Sequence, residues 1–202
     1  MYSEEVLLVT GFEPFGPWSH NPSQALLDAL PDSIEGLPLR KAVLPVDSQR
    51  LPEALRPLYR EKPRGVIHLG LAAGRPLLSL ERFAHNLLDF AEPDNQGHQP
   101  RETPILPGAP LALASRLPLR TIQEAWHTEG IPSALSTSAG TYLCNQAMYL
   151  ALSWLPPETP AGFIHLPADE TLAHAHPQAY IPLAIQTRAV LLALQRIAHD
   201  LT

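Results

Sequence analysis

Short apolar runs alternate along the chain with longer stretches whose apolar residues recur at helical spacing, the pattern of a largely parallel sheet layered with helices. The run VLLVTG predicts a strand over residues 6–11, because a continuous apolar segment of that length suits a strand covered on both faces. A turn follows. Asn21, Pro22 and Ser23 before QALLDAL then predict a helix start, with a capping side chain ahead of a proline that the first turn tolerates. Further strands are predicted over 39–46, 65–73, 133–137 and 162–166, and helices over 51–61, 121–129 and 142–155, the first of these despite Pro57. In the stretch 181–201, Leu183, Val190, Leu194, Ile197 and Leu201 form one stripe along a last helix, which reads as core packing. Regularity lapses between residues 79 and 110, where SLERFAHNLLDF runs into a polar, proline-rich segment. A long irregular stretch inside a compact domain is commonly functional or mobile.

Composition narrows the class. The chain has 202 residues, 45% of them apolar, and no internal repeat or linker-like segment, so residues 1–202 read as a single α/β domain. At this length folding buries roughly 70% of the surface an unfolded chain exposes, and no disulfide or metal is needed to hold a core. The formal net charge is −6 and the basic residues are scattered, which argues against nucleic acid or an anionic membrane as partner. The longest apolar runs, such as 190–194, fall far short of the roughly 18 residues a membrane-spanning helix needs. The opening MYSEEVLLVTGF has acids before its apolar stretch and no small-residue cleavage site, so a cytoplasmic protein is expected. The 23 prolines against 11 glycines read as stiffened loops.

Cys144 is the single cysteine, so it can form neither an intrachain disulfide nor a multi-thiolate zinc site. Its context, SAGTYLCNQAMY, places it in or near the first turn of a helix after a strand. Free N–H groups and the helix macrodipole there favour a thiolate and could hold an oxyanion. A small buried hydrophobe is the competing reading of the same residue. A cysteine nucleophile needs a base, and His165 at the end of the strand GFIHLP is the best placed of nine histidines, since side chains at strand carboxyl ends converge on the ligand crevice of a parallel sheet. His68 has a similar context but sits further inside its strand. Glu170, His174 and His176 match no zinc signature and are expected in a surface loop, so no metal site is assigned. The stretch from Gly70 to Gly74 lacks the residues of a phosphate loop or a dinucleotide fingerprint, and no cofactor is indicated.

Together VTGFEPFG with NPS, SLERFAHN, PDNQG, SAGTYLCNQAMY and GFIHLP resemble the pyroglutamyl peptidase I, or pyrrolidone-carboxylate peptidase, family of cysteine peptidases. The resemblance runs over residues 8–167, about four fifths of the chain. It implies an open α/β/α sandwich that removes an N-terminal pyroglutamyl residue from peptides and proteins with a Glu, Cys and His triad and no cofactor. Carried over position by position, the nucleophile falls on Cys144, the base on His165 and the orienting acid on Glu81. Without the resemblance Glu81 reads as a solvated surface acid. The family's aromatic slot for the lactam ring falls on Phe12 and Phe15 of GFEPFG; the alternative is that both simply pack the turn after the first strand. Two departures stand out. Many relatives carry an Arg just before PDN where this chain has Ala91, leaving that role vacant or to Arg82 or Arg101, and many bacterial ones carry a polar residue where this chain has Leu71. The partners implied are pyroglutamylated peptides. A homo-oligomer, dimer or tetramer, is compatible with this reading. A cysteine amidase acting on another cyclic or blocked amide, and a catalytically silent binding protein on the same fold, remain the alternatives.

Overall fold

The computed structural model describes residues 5–201. Its centre is a seven-stranded sheet in the order β2-β3-β1-β4-β9-β5-β8. These strands are β1 (Leu7–Phe12), β2 (Ser33–Ile34), β3 (Leu37–Leu44), β4 (Gly65–Leu71), β5 (Leu78–Glu81), β8 (Ser133–Ser136) and β9 (Ala161–Leu166). A separate hairpin pairs β6 (Phe83–His85) with β7 (Ala112–Ala114). Strands β3, β1, β4 and β9 are mutually parallel, and β5 runs antiparallel to β9 while pairing parallel with β8. The parallel sheet anticipated from the chain is therefore a parallel core with a reversed edge pair and a short antiparallel β2.

The helices are α1 (Pro22–Ala29), α2 (Leu51–Arg60), α3 (Leu119–Thr128), α4 (Leu143–Trp154), α5 (Glu170–Ala175) and α6 (Leu183–Leu201). Strand side chains point alternately to the two faces, and this period divides the core in two. Leu7, Val9, Ile67, Leu69, Leu78, Leu80, Ile164 and Leu166 pack on one face with residues of α1, α3 and α6. Leu8, Phe12, Val66 and Phe163 pack on the other with α2 and α4. The stripe of α6 is core, as its spacing predicts: Val190, Leu194 and Ile197 are buried. Among the described residues no helix is long and apolar enough to cross a membrane.

The local signals act as their chemistry requires. Asn21 caps α1 by accepting from the Ser23 N–H, and Pro22 occupies the first turn. Gly11 lets α1 approach β1, since a Cβ there would lie 2.4 Å from the Ser23 carbonyl oxygen. Helix α2 runs through Pro57 as expected. The segment that looked irregular holds β5 and β6, and the rest of it is tied down rather than loose. Asn86 donates to the carbonyls of Leu106 and Ala109 and accepts from the Leu106 N–H; Leu88 pairs with Thr103, and Phe90 is buried beneath the loop. The stretch from Glu170 to Ala175, expected as loop, is the short helix α5, capped by Asp169 through the Leu172 N–H.

Candidate active site

The register of three neighbouring strands assembles the site. Gly70 of β4 is opposite His165 of β9, which is opposite Ser79 of β5. With the two-residue period, Glu81 follows Ser79 onto the face covered by α4. Glu81 is fully buried, and the His165 Nδ1 to Glu81 Oε1 distance is 2.7 Å. When Nδ1–H donates to that carboxylate, Nε2 is left as the proton acceptor.

Cys144 is the second residue of α4, as its sequence context predicts. The helix start is held by side chains. Asn145 donates to the carbonyls of His85 and Leu87 and accepts from the His85 N–H, and Gln146 donates to the Ser48 carbonyl. These two anchors escape sequence reasoning because Asn and Gln inside a helix read as exposed positions. Gly70 is the other condition: a Cβ there would lie 2.8 Å from Cys144 Sγ and 2.7 Å from the Phe163 ring. Only a glycine lets the thiol lie against the end of β4.

The thiol does not ionise as the helix-start argument expects. Its own backbone N–H and Arg75 pull the pKa down, but burial first and the Glu81 charge second outweigh them and push it up to about 12. A helix N-terminus stabilises an anion by a modest amount, and here desolvation exceeds it. The resting thiol is neutral, so it must lose its proton to a base as it attacks.

Cys144 and His165 line one cavity of about 130 Å³, whose apolar walls include Phe12, Phe15, Leu71 and Tyr142. That is well below the several hundred Å³ of sites for drug-sized ligands, so it suits one small ring. Larger hollows, such as those of about 490 and 610 Å³ beside the end of α6, hold neither of these groups. The two phenylalanines divide the alternatives between them. Phe12 is buried in the core as well as lining the cavity, whereas Phe15 is half-buried, with its ring 6.2 Å from that of Tyr142. Tyr142 also meets the Phe90 ring at a tilt, with centroids 4.4 Å apart, and donates to the Pro93 carbonyl, which connects the 86–111 segment to the cavity.

Other candidates fall away from the site. His68 is fully buried with its nitrogens 2.6 Å from Thr10 Oγ1 and 2.8 Å from the Tyr59 hydroxyl, and burial lowers its pKa to about 3, so it is a neutral core histidine. Glu170, His174 and His176 do not converge: Glu170 accepts from the Leu183 N–H, and His176 meets the edge of Trp18. Asp47, Asp94 and His98 do cluster, but the carboxylates accept from N–H groups of Gln49, Arg50, Ser48, Gln96 and His98. Neither Arg82 nor Arg101 lines the cavity; Arg82 borders a different hollow and Arg101 faces Asp89. Ala91 is exposed, its carbonyl accepting from Gln99.

A thiol at a helix start, an imidazole with one free nitrogen and a buried carboxylate behind it are the groups a cysteine hydrolase needs. The chain belongs to the pyroglutamyl peptidase family, whose model matches residues 5–200. It is 40% identical to the pyrrolidone-carboxylate peptidase of Thermococcus kodakarensis over 200 residues, 97% of each chain. With that of Deinococcus radiodurans it shares 42% over 204 residues, 95% of this chain and 93% of the relative. The crystal structure of pyrrolidone carboxyl peptidase from Thermus thermophilus superimposes with a TM-score of 0.93 at 59% identity, covering 94% of this chain and 99% of that one. That from Pyrococcus furiosus gives 0.89 at 36%, covering 97% and 99%.

Proposed function

We propose that this chain hydrolyses the amide bond between an N-terminal pyroglutamyl residue and the residue after it, with Cys144 as nucleophile, His165 as base and Glu81 as the acid that orients the base. The observation that carries the assignment is the 2.7 Å bond from His165 Nδ1 to buried Glu81, with Cys144 and His165 lining one small apolar cavity. His165 Nε2 takes the thiol proton as Sγ attacks the carbonyl carbon. The tetrahedral adduct collapses when His165 returns that proton to the leaving amine, and a thioester remains. Water then attacks the thioester, giving its proton to His165, and free pyroglutamate leaves as the thiol is regenerated. N–H groups of the first α4 turn, which no side chain of the capping Tyr142 occupies, are the donors for the oxyanion.

The cavity also favours a lactam over an ordinary N-terminus. Phe12, Phe15 and Tyr142 line it with aromatic surface suited to a flat neutral ring, and none of the described side chains lining it is acidic. An α-ammonium would lose its water there without gaining a counter-charge. A cytoplasmic setting fits a mechanism that requires a reduced thiol.

The test is turnover of pyroglutamyl and prolyl fluorogenic amides by the purified protein, before and after thiol alkylation. Cleavage of the pyroglutamyl amide alone, abolished in step with Cys144 labelling, is the expected result. Full turnover by alkylated protein overturns the cysteine mechanism. Preference for a different cyclic amide overturns the substrate assignment and favours an amidase, and labelling without turnover of any amide favours a silent binding protein.

A further inference from the structure

Glu81 is a fully buried carboxylate whose contacts are uneven. Oε1 receives His165 Nδ1 at 2.7 Å and Arg75 Nη1 at 3.1 Å, while Oε2 is buried without a hydrogen-bond partner. Arg75 Nη1 also reaches Ser79 Oγ at 3.3 Å, so it bridges both inward-facing residues of β5. The loop from β4 aims it there. Gly74 turns the chain at φ +81° and donates to Gln178 Oε1, and the Arg75 N–H closes the turn on the Ala72 carbonyl.

We propose that Arg75 is a positioning residue for the reaction: it fixes the Glu81 carboxylate against His165 and balances the negative charge that Glu81 places beside the Cys144 thiol. This rests on the cysteine-hydrolase reading above. A carboxylate held by its histidine alone could rotate about its own bond, because its other oxygen is held by nothing. Arg75 donates to the same oxygen as His165 and is anchored on Ser79, so it selects one orientation of the acid. Among the described residues, the ionisable groups that interact with Arg75 are Glu81 of β5 and Cys144 of α4, with His165 of β9 bonded to the same Glu81 oxygen. A buried anion with no cation beside it would draw a proton onto the His165–Glu81 pair and resist formation of a thiolate. Arg75 opposes both, and its field at Cys144 acts against that of Glu81.

Arg75→Gln and Arg75→Lys separate charge from bulk. The Arg75 side chain is 42% exposed, so neither variant opens a core cavity, and melting within a few degrees of wild type is expected. With Gln, the acid limb of kcat/KM should move up by about 0.5 to 1 pH unit, the low end of what a neighbouring charge produces given this exposure. Iodoacetamide alkylation of Cys144 at fixed pH should slow by about 3- to 10-fold, because thiolate is the reactive form. Lys should keep the wild-type limb and recover most of the alkylation rate. A uniform fall in kcat with limb and alkylation rate unchanged would overturn the assignment, as would Lys shifting the limb as far as Gln. Failure of the underlying reading shows separately, as wild-type turnover that survives complete labelling of Cys144.

Discussion

Truncating Phe15 and Phe12 to Ala separates binding from packing, because the two rings share a cavity but not an environment. Phe15 is half-buried, so its loss exposes little core and should cost about 0.8–1.5 kcal/mol of stability, near half the value of fully burying such a side chain. For a chain of this length 1 kcal/mol moves the melting temperature by about 2–4 °C, so Phe15→Ala should melt within several degrees of wild type. If its ring covers the lactam, kcat/KM on a pyroglutamyl amide should fall by about 10- to 200-fold, the loss of 1 to 3 kcal/mol typical of a pocket contact. Phe12 is 3% exposed and packs in the same core cluster as Leu8, Leu44 and Phe163. A buried Phe to Ala change costs about 3–5 kcal/mol, so Phe12→Ala should lose both activity and roughly 6–20 °C of melting temperature. The assay is differential scanning calorimetry with steady-state kinetics on the same preparations, below the lower melting temperature. Phe15→Ala retaining kcat/KM within twofold would refute the lactam-wall reasoning, whatever Phe12→Ala did.

Three further outcomes test the chemistry. Glu81→Gln should reduce kcat less than His165→Ala, since the acid orients while the histidine transfers the proton; Glu81→Gln with wild-type kcat would remove Glu81 from the mechanism. Because the Cys144 pKa is pushed up to about 12, the neutral thiol dominates below that pH, so the rate of iodoacetamide labelling should climb through the alkaline range; a plateau near neutrality would show a resting thiolate instead. Gly70→Ala should place a methyl against Cys144 Sγ and the Phe163 ring, lowering kcat/KM while costing about 1–3 kcal/mol of stability; unchanged kinetics would mean that the thiol need not lie against β4.

Most of the framework is legible in the chain because it rests on local rules. Buried parallel strands must be apolar throughout, a helix needs a cap, and the stripe of α6 needs only its own spacing; these elements fall within a few residues of their predicted limits. The position of Cys144 at a helix start is likewise local. Strand β5 is illegible for a physical reason. It is four residues long, and its alternate side chains, Ser79 and Glu81, are polar yet buried because they face Arg75 and His165 from other parts of the chain. A strand with an inward-facing acid has the pattern of a surface loop, so Glu81 entered through family resemblance and not through periodicity. The thiol shows the same division. The sequence puts it at the positive end of a helix, but its protonation depends on burial and on a carboxylate 63 positions away, and only the tertiary structure brings these together. Local sequence determines the longer strands and helices of this protein; short β5 and the charges that act on its nucleophile are set by long-range packing, because a buried charge acts through space and not along the chain.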